Sequence, residues 1–171
     1  MNIEGAIAAE QLAQECRRVA DELGTAYFGT GVVTRPLERA ADTFGSAVDS
    51  RAAAVEVSGA WRGQVAVLAS RPWLTIVASC LFHLPEADIT ELHREEVILE
   101  MTNICGGNLK TVLPEPCELS VPRLLAPADY AMISHSRYLH GFTMTYDAAT
   151  AMPFIICAAP HGDDAERGIC C

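Results

Sequence analysis

Lysine is almost absent from this chain: Lys110 is the only one among its 171 residues. The 12 basic residues face 22 acidic ones, for a formal net charge of −10. The nearest thing to a basic cluster, Arg17-Arg18, lies in an acidic stretch. Nucleic-acid binding needs phosphates to be neutralised, so this balance disfavours it, and it disfavours docking on an anionic membrane surface as well. No apolar run approaches the roughly 20 residues that span a bilayer. The first residues carry Glu4 and Glu10 and no basic-then-apolar pattern, so no signal peptide is expected and the expected location is the cytoplasm. No CxxC and no Cys/His pair has zinc spacing, and His135, His140 and His161 lack metal-ligand spacing too. A thiol- or metal-based sensor therefore has no paired spacing to rest on.

Seven cysteines are present: Cys16, Cys80, Cys105, Cys117, Cys157, Cys170 and Cys171. They are odd in number, scattered and mostly set among apolar neighbours, which fits reduced thiols acting as small hydrophobes. The adjacent Cys170-Cys171 cannot clamp distant segments and does not match the prenylation pattern. Half of the residues are hydrophobic and 20% are charged, so the chain is globular, with a length suited to one domain and a sizeable core. We read 1–171 as a single domain, with 35–50 a candidate insertion and 160–171 a C-terminal tail.

Residues 5–23 are rich in good helix formers, with apolar positions at Ile7, Leu12, Cys16, Val19 and Leu23 and a stop expected at Gly24. Residues 26–34 read as a short strand, and 35–50 as a loop or short helix. Two strands, Ala53–Ser58 and Gln64–Ala69, are joined by a glycine-containing loop as in a hairpin. Pro72 opens a helix to about Phe82. Thr90 caps a long central helix ending between Lys110 and Leu113, with His93 where a full capping box has Glu or Gln. Pro114 and Pro116 break that helix. Strands are expected at Glu118–Val121, His140–Tyr146 and Phe154–Ala158. The order implies an α+β fold with a mostly antiparallel sheet packed against long helices.

The chemistry-bearing stretch is Glu96-Val-Ile-Leu-Glu100-Met-Thr-Asn103-Ile-Cys-Gly-Gly-Asn108-Leu-Lys110. At about 100° per residue, Glu96, Glu100 and Asn103 share a wedge of about 60°. Val97, Ile98, Met101, Ile104 and Cys105 form the apolar stripe on the other side. Asparagine inside a helix costs roughly half a kcal/mol relative to alanine, so its place on an exposed face beside a glutamate suggests a role beyond stability. Solvation and fraying before Gly106-Gly107 are the structural alternatives. His93 and Lys110 lie within about 60° of the same face. Gly106-Gly107-Asn108 lacks the Gly-Lys-Ser/Thr of a phosphate loop, and its glycines more plausibly permit close packing. Trp61 and Trp73 fit core or hairpin packing better than a partner anchor.

Glu100-Met-Thr-Asn103 with Ile-Cys-Gly-Gly-Asn108-Leu-Lys110 resembles the Glu-x-x-Asn signature of the CheC/CheX/FliY family of chemotaxis phosphatases. Val57-Ser-Gly59 and Arg62-Gly63-Gln-Val-Ala-Val-Leu68 are similar to that family's strand–Gly–strand hairpin. The Pro72 helix, the central helix and Leu119-Ser-Val-Pro122 follow in the family's order. The resemblance covers about residues 53–125 and is closest to the CheX branch. It implies a phosphatase of phosphorylated CheY-like receivers, in which Asn103 orients the attacking water and Glu100 contacts a receiver lysine. Glu96 and Lys110 become candidate partner-binding residues, no cofactor of the protein's own is implied, and Mg²⁺ is expected in the receiver. A homodimer formed by exchange of sheet strands is also implied. Two features depart from the family pattern. Glu96 stands where members often carry Asp or Ser, and Glu15-Cys-Arg-Arg18 replaces the second Glu-x-x-Asn of two-site relatives, so one site per chain is expected. A non-catalytic docking or dimerisation module on the same fold, of the flagellar-switch kind, is the alternative.

Overall fold

The computed structural model describes residues 3–29, 33–36, 49–130, 138–145 and 151–160. Residues 37–48, His135, His161, Cys170 and Cys171 lie outside these, and so do the side chains of Ile7 and Cys157. The first helix, α1, runs Ile3–Phe28, and strand β1 is Val33–Pro36. The hairpin is β2 (Ser50–Gly59) and β3 (Gly63–Ser70), followed by α2 (Arg71–Phe82) and α3 (Glu91–Lys110). Short strands β4 (Cys117–Leu119) and β5 (Arg123–Leu124) precede β6 (Tyr138–Thr145) and β7 (Ala151–Pro160). Every strand pairing is antiparallel, in the order β1-β6-β7-β3-β2-β4 with β5 also on β2. This is the expected α+β architecture.

The central strand explains why the sheet forms where it does. Every residue of β3, Gly63 to Ser70, is buried between β2 and β7. Val65, Val67 and Ala69 alternate toward the helices and join Val55 and Val57 of β2 in the core. Ala52, Ala54, Ala66 and Leu68, on the opposite face by the same alternation, are buried as well. A strand covered on both faces has to read as a near-continuous apolar run, and this one does.

The helices form one layer. α3 packs over β2 and β3, α2 against β3 and β7, and α1 against α3, β6 and β1. Trp73 and Leu74 of α2 are fully buried among Val97, Ile98, Met101 and Leu109 of α3. Both tryptophans are core residues, Trp61 less completely than Trp73. Gly106 lets α3 lie close on the sheet, since a Cβ there would come within 2.7 Å of Val55 Cγ2. The close approach is thus helix on strand rather than helix on helix. Gly107, by contrast, has nothing within 4 Å of such a Cβ.

The first helix and first strand differ from their sequence-based expectations, and β5 was not expected at all. Gly24 does not stop α1, and the strand expected over 26–34 is helix as far as Phe28, with β1 starting only at Val33. A glycine inside a helix costs about 1 kcal/mol, which the packing of the last turn offsets. Tyr27 and Phe28 pack on the core, and the Phe28 ring lies 6.1 Å from that of Trp73. Gly29, at φ +75°, turns the chain out of the helix instead.

The start of α3 is fixed by two devices. Thr90 Oγ1 accepts from His93 N at 3.4 Å, while Thr90 N donates to His93 Nδ1 at 3.2 Å. His93 therefore completes the capping box that its residue type seemed to leave open. Its ring also lies 4.9 Å from that of Phe82, so it locks α3 to α2 rather than facing solvent at the site. The second device is the buried Arg94, which donates to Thr75 Oγ1 (2.9 Å), Ile89 O (3.0 Å) and Glu91 (3.3 Å). Glu91 also pairs with Arg71 at 2.9 Å and with Arg51. One carboxylate thus ties β2, α2 and α3 together, and a buried charge is tolerated because it is paired and hydrogen-bonded.

Candidate functional site

Glu96, Glu100 and Asn103 are all exposed on one face of α3, as the helical spacing predicts. Burial of Val97, Ile98, Met101 and Cys105 against the sheet turns that face outward. The three polar residues and the half-buried Leu99 form one wall of an open groove of about 560 Å³. The facing wall is the end of β4, Leu119, and the chain that leads from it to β5: Ser120, Val121 and Pro122. Its position follows from the register. Leu119 pairs with Val57 of β2, the strand on which α3 lies, so the connection runs alongside the helix.

Neither Glu96, Glu100 nor Asn103 makes a side-chain hydrogen bond or ion pair among the described residues. No cation among the described residues lines the groove, which leaves two carboxylates and a carboxamide to be satisfied by water or by a partner. Tyr27, at the end of α1, is coupled to the site by charge: burial first, and then the Glu100 carboxylate, push its phenol above the ordinary value of 10.0. Sequence reasoning missed Tyr27 because the helix was expected to end before it. Lys110 sits about two turns beyond Asn103, half-buried in the last turn of α3, and does not line the groove.

The second asparagine of the motif has a different task. Asn108 donates to Ile104 O at 2.8 Å and accepts from Arg18 Nη2 at 2.9 Å, joining α3 to α1. Arg18 is also paired with Glu15 and Glu22. The Glu15-Cys-Arg-Arg18 segment therefore forms a helix-to-helix clasp, with no second carboxylate–carboxamide pair in it. Beneath the clasp, Cys16 and Cys105 are buried, and burial raises the Cys105 thiol well above its ordinary range, with Cys16 adding to the effect. Cys117 is also buried, whereas Cys80 is exposed.

The arrangement suits some chemistries and not others. Ser120 is no activated nucleophile: its hydroxyl accepts from Glu56 N at 2.9 Å and donates its proton to Val121 O at 3.0 Å rather than to a base. Among the described residues no group of three His, Cys, Asp or Glu side chains is placed to hold a metal ion. No described helix is long and apolar enough to cross a membrane. What remains is an amide that can accept from a water and donate to an oxygen, one turn from a carboxylate that can receive a cation.

Among the described residues, a sheet flanked by three α-helices, with an acidic groove carrying Glu-x-x-Asn on the last of them, defines the class as CheC/CheX-like. Residues 51–146 match the family model for the chemotaxis phosphatase CheX, and the chain belongs to that family. Among solved structures, the fold is similar to that of CheX in the Borrelia burgdorferi CheX–CheY–BeF3–Mg²⁺ complex. That match has TM-score 0.61 and 13% identity, over 85% of this chain and 96% of the other. Thermotoga maritima FliY is similar at TM-score 0.56 and 12% identity, over 98% of this chain and 94% of its own. The FliM middle domain of H. pylori is similar at TM-score 0.59 and 6% identity, over 98% of both chains. At these identities the likeness is one of fold. No curated protein matches the chain in sequence.

Proposed function

We propose that this protein dephosphorylates a phospho-aspartyl receiver of the CheY kind, with Asn103 orienting the attacking water and Glu100 contacting a cation beside the receiver's phosphate. The observation that carries the reading is the pairing itself. Glu100 and Asn103 stand together in one groove, exposed and unengaged by other side chains of the described residues. A water held by an amide oxygen gains orientation without gaining a negative neighbour, whereas a carboxylate at that position would repel the phosphoryl dianion. Glu100 then serves as a charge contact, and no general base is required of it. Glu96, one turn earlier in the same groove, adds a second docking charge. The Mg²⁺ of the reaction belongs, in this reading, to the receiver, and the protein brings no cofactor. A homodimer, the state implied by the family resemblance, is part of the proposal and is read by sedimentation of the purified chain.

The test is phosphate loss from purified CheY-like receivers, with the native chain, Asn103→Ala and Asn103→Asp. The expected result is acceleration by the native chain and a fall of about 100-fold or more in both variants, the cost of a misplaced nucleophile. Full activity of Asn103→Ala would refute the water-orienting role.

The second reading is a receiver-docking module without catalysis, favoured by the likeness in fold to the FliM middle domain. Receiver binding without acceleration would select it. Retention of Asn103 beside Glu100 favours the phosphatase, since docking alone has no use for a water-orienting amide.

A further inference from the structure

Val121 is 85% exposed, more than Leu92 (62%), Leu81 (42%) or Leu124 (39%). Its exposure does not come from a loose loop. Ser120 N donates to Glu56 O at 2.9 Å, Ser120 Oγ accepts from Glu56 N at 2.9 Å, and the same hydroxyl donates to Val121 O at 3.0 Å. Pro122 follows and restricts residue 121 to extended backbone. The chain between β4 and β5 is thus pinned to β2 on one side and holds a branched apolar side chain outward on the other. For folding this gains nothing, because valine contributes through burial. For recognition it offers a rigid apolar contact across the groove from Glu96 and Glu100.

We infer that Val121, with Leu119 beside it, is an apolar docking wall that determines which receiver is accepted; the inference rests on the phosphatase reading for the identity of the partner. The two walls call for complementary chemistry on one partner surface. A cation is needed to meet two carboxylates that no cation of the described residues faces in the groove, and an apolar side chain beside it to cover Val121. A receiver phosphorylated on aspartate, with a lysine at its phosphorylation site and an apolar residue on the adjoining loop, meets both demands. Charge sets the approach and the apolar contact sets the choice, since a rim charge acts mostly on the rate of encounter. Receivers with a polar residue at the adjoining position are accepted poorly.

The experiment measures kcat and KM for phosphate loss from a panel of CheY-like receivers phosphorylated with acetyl phosphate, with native chain, Val121→Ser and Leu92→Ser. Leu92 is a control, an exposed leucine on α3 outside the groove. Val121→Ser is expected to raise KM about tenfold with kcat little changed, the factor that burial of one valine supports, and Leu92→Ser to leave KM as it was. An unchanged KM in Val121→Ser, or a fall in kcat alone, overturns the docking wall. If the native chain accelerates none of the receivers, binding to the same receivers loaded with BeF3 and Mg²⁺ separates the two claims. A tenfold loss of binding in Val121→Ser then supports the wall while the phosphatase reading fails, and no binding by the native chain overturns both. The exposure of Val121 keeps the variant folded, which its thermal melt verifies.

Discussion

Two adjacent glycines in the central helix should respond to the same substitution with opposite signs. At Gly106 a Cβ would stand 2.7 Å from Val55 Cγ2, about 1 Å inside ordinary carbon–carbon contact. Overpacking of that kind costs about 1–3 kcal/mol, against which alanine regains about 1 kcal/mol of helix propensity. Gly106→Ala is therefore expected to destabilise by about 1 kcal/mol. At Gly107 the same methyl meets nothing within 4 Å and the position is exposed, so Gly107→Ala should stabilise by about 0.5–1 kcal/mol. The two differ by about 2 kcal/mol, or about 4–8 °C in melting temperature for a chain of this size. Urea denaturation gives both values, provided the slope m stays constant. Val55→Ala, which removes the methyl in the way, should couple with Gly106→Ala by about 1 kcal/mol and not with Gly107→Ala. Asn103 lies one turn from Gly106, so a helix lifted from β2 should also slow the proposed phosphate loss. If both glycine variants shift stability in the same direction, α3 does not lie on β2 as described.

Two other outcomes are expected beyond those for Asn103 and Val121. His93→Ala should cost about 1 kcal/mol through loss of the reciprocal cap, and His93→Gln should recover most of it, both read by thermal melting. Because burial raises the Cys105 thiol, the unfolded chain releases that proton first as pH rises past about 8.5, the ordinary thiol value. The folded state then holds more protons than the unfolded one, so stability is full below that pH and falls above it, by up to about 1.4 kcal/mol per pH unit. Urea midpoints from pH 7 to 10 should show this slope, and Cys105→Ala should flatten it. A slope unchanged in that variant would place its origin elsewhere.

Much of the site was legible in the sequence because it rests on one helix. Glu96, Glu100 and Asn103 share a face by arithmetic alone, and the apolar residues between them had to be buried. The hairpin and both tryptophans followed from similarly local patterns. The extent of α1 did not. Gly24 carries a real local penalty, and only the burial of Phe28 against Trp73, residues far apart in the chain, outweighs it. His93 also read as an incomplete cap, because whether an imidazole can reach back to Thr90 N depends on the rotamer that Phe82 supports.

Arg94 gave no signal of burial, since a charged residue is tolerated inside only where partners converge on it, here Thr75 and Ile89 from outside the helix and Glu91 from within it. The sequence by itself determined which polar residues share the exposed face of α3, through helical periodicity. Tertiary structure alone decided what faces them: the pinned chain at Val121, Tyr27 beside Glu100, and Lys110 outside the groove. Periodicity acts along one element, whereas a groove needs two, and their meeting is set by the register of β4 on β2 and the seat of α3 on the same strand.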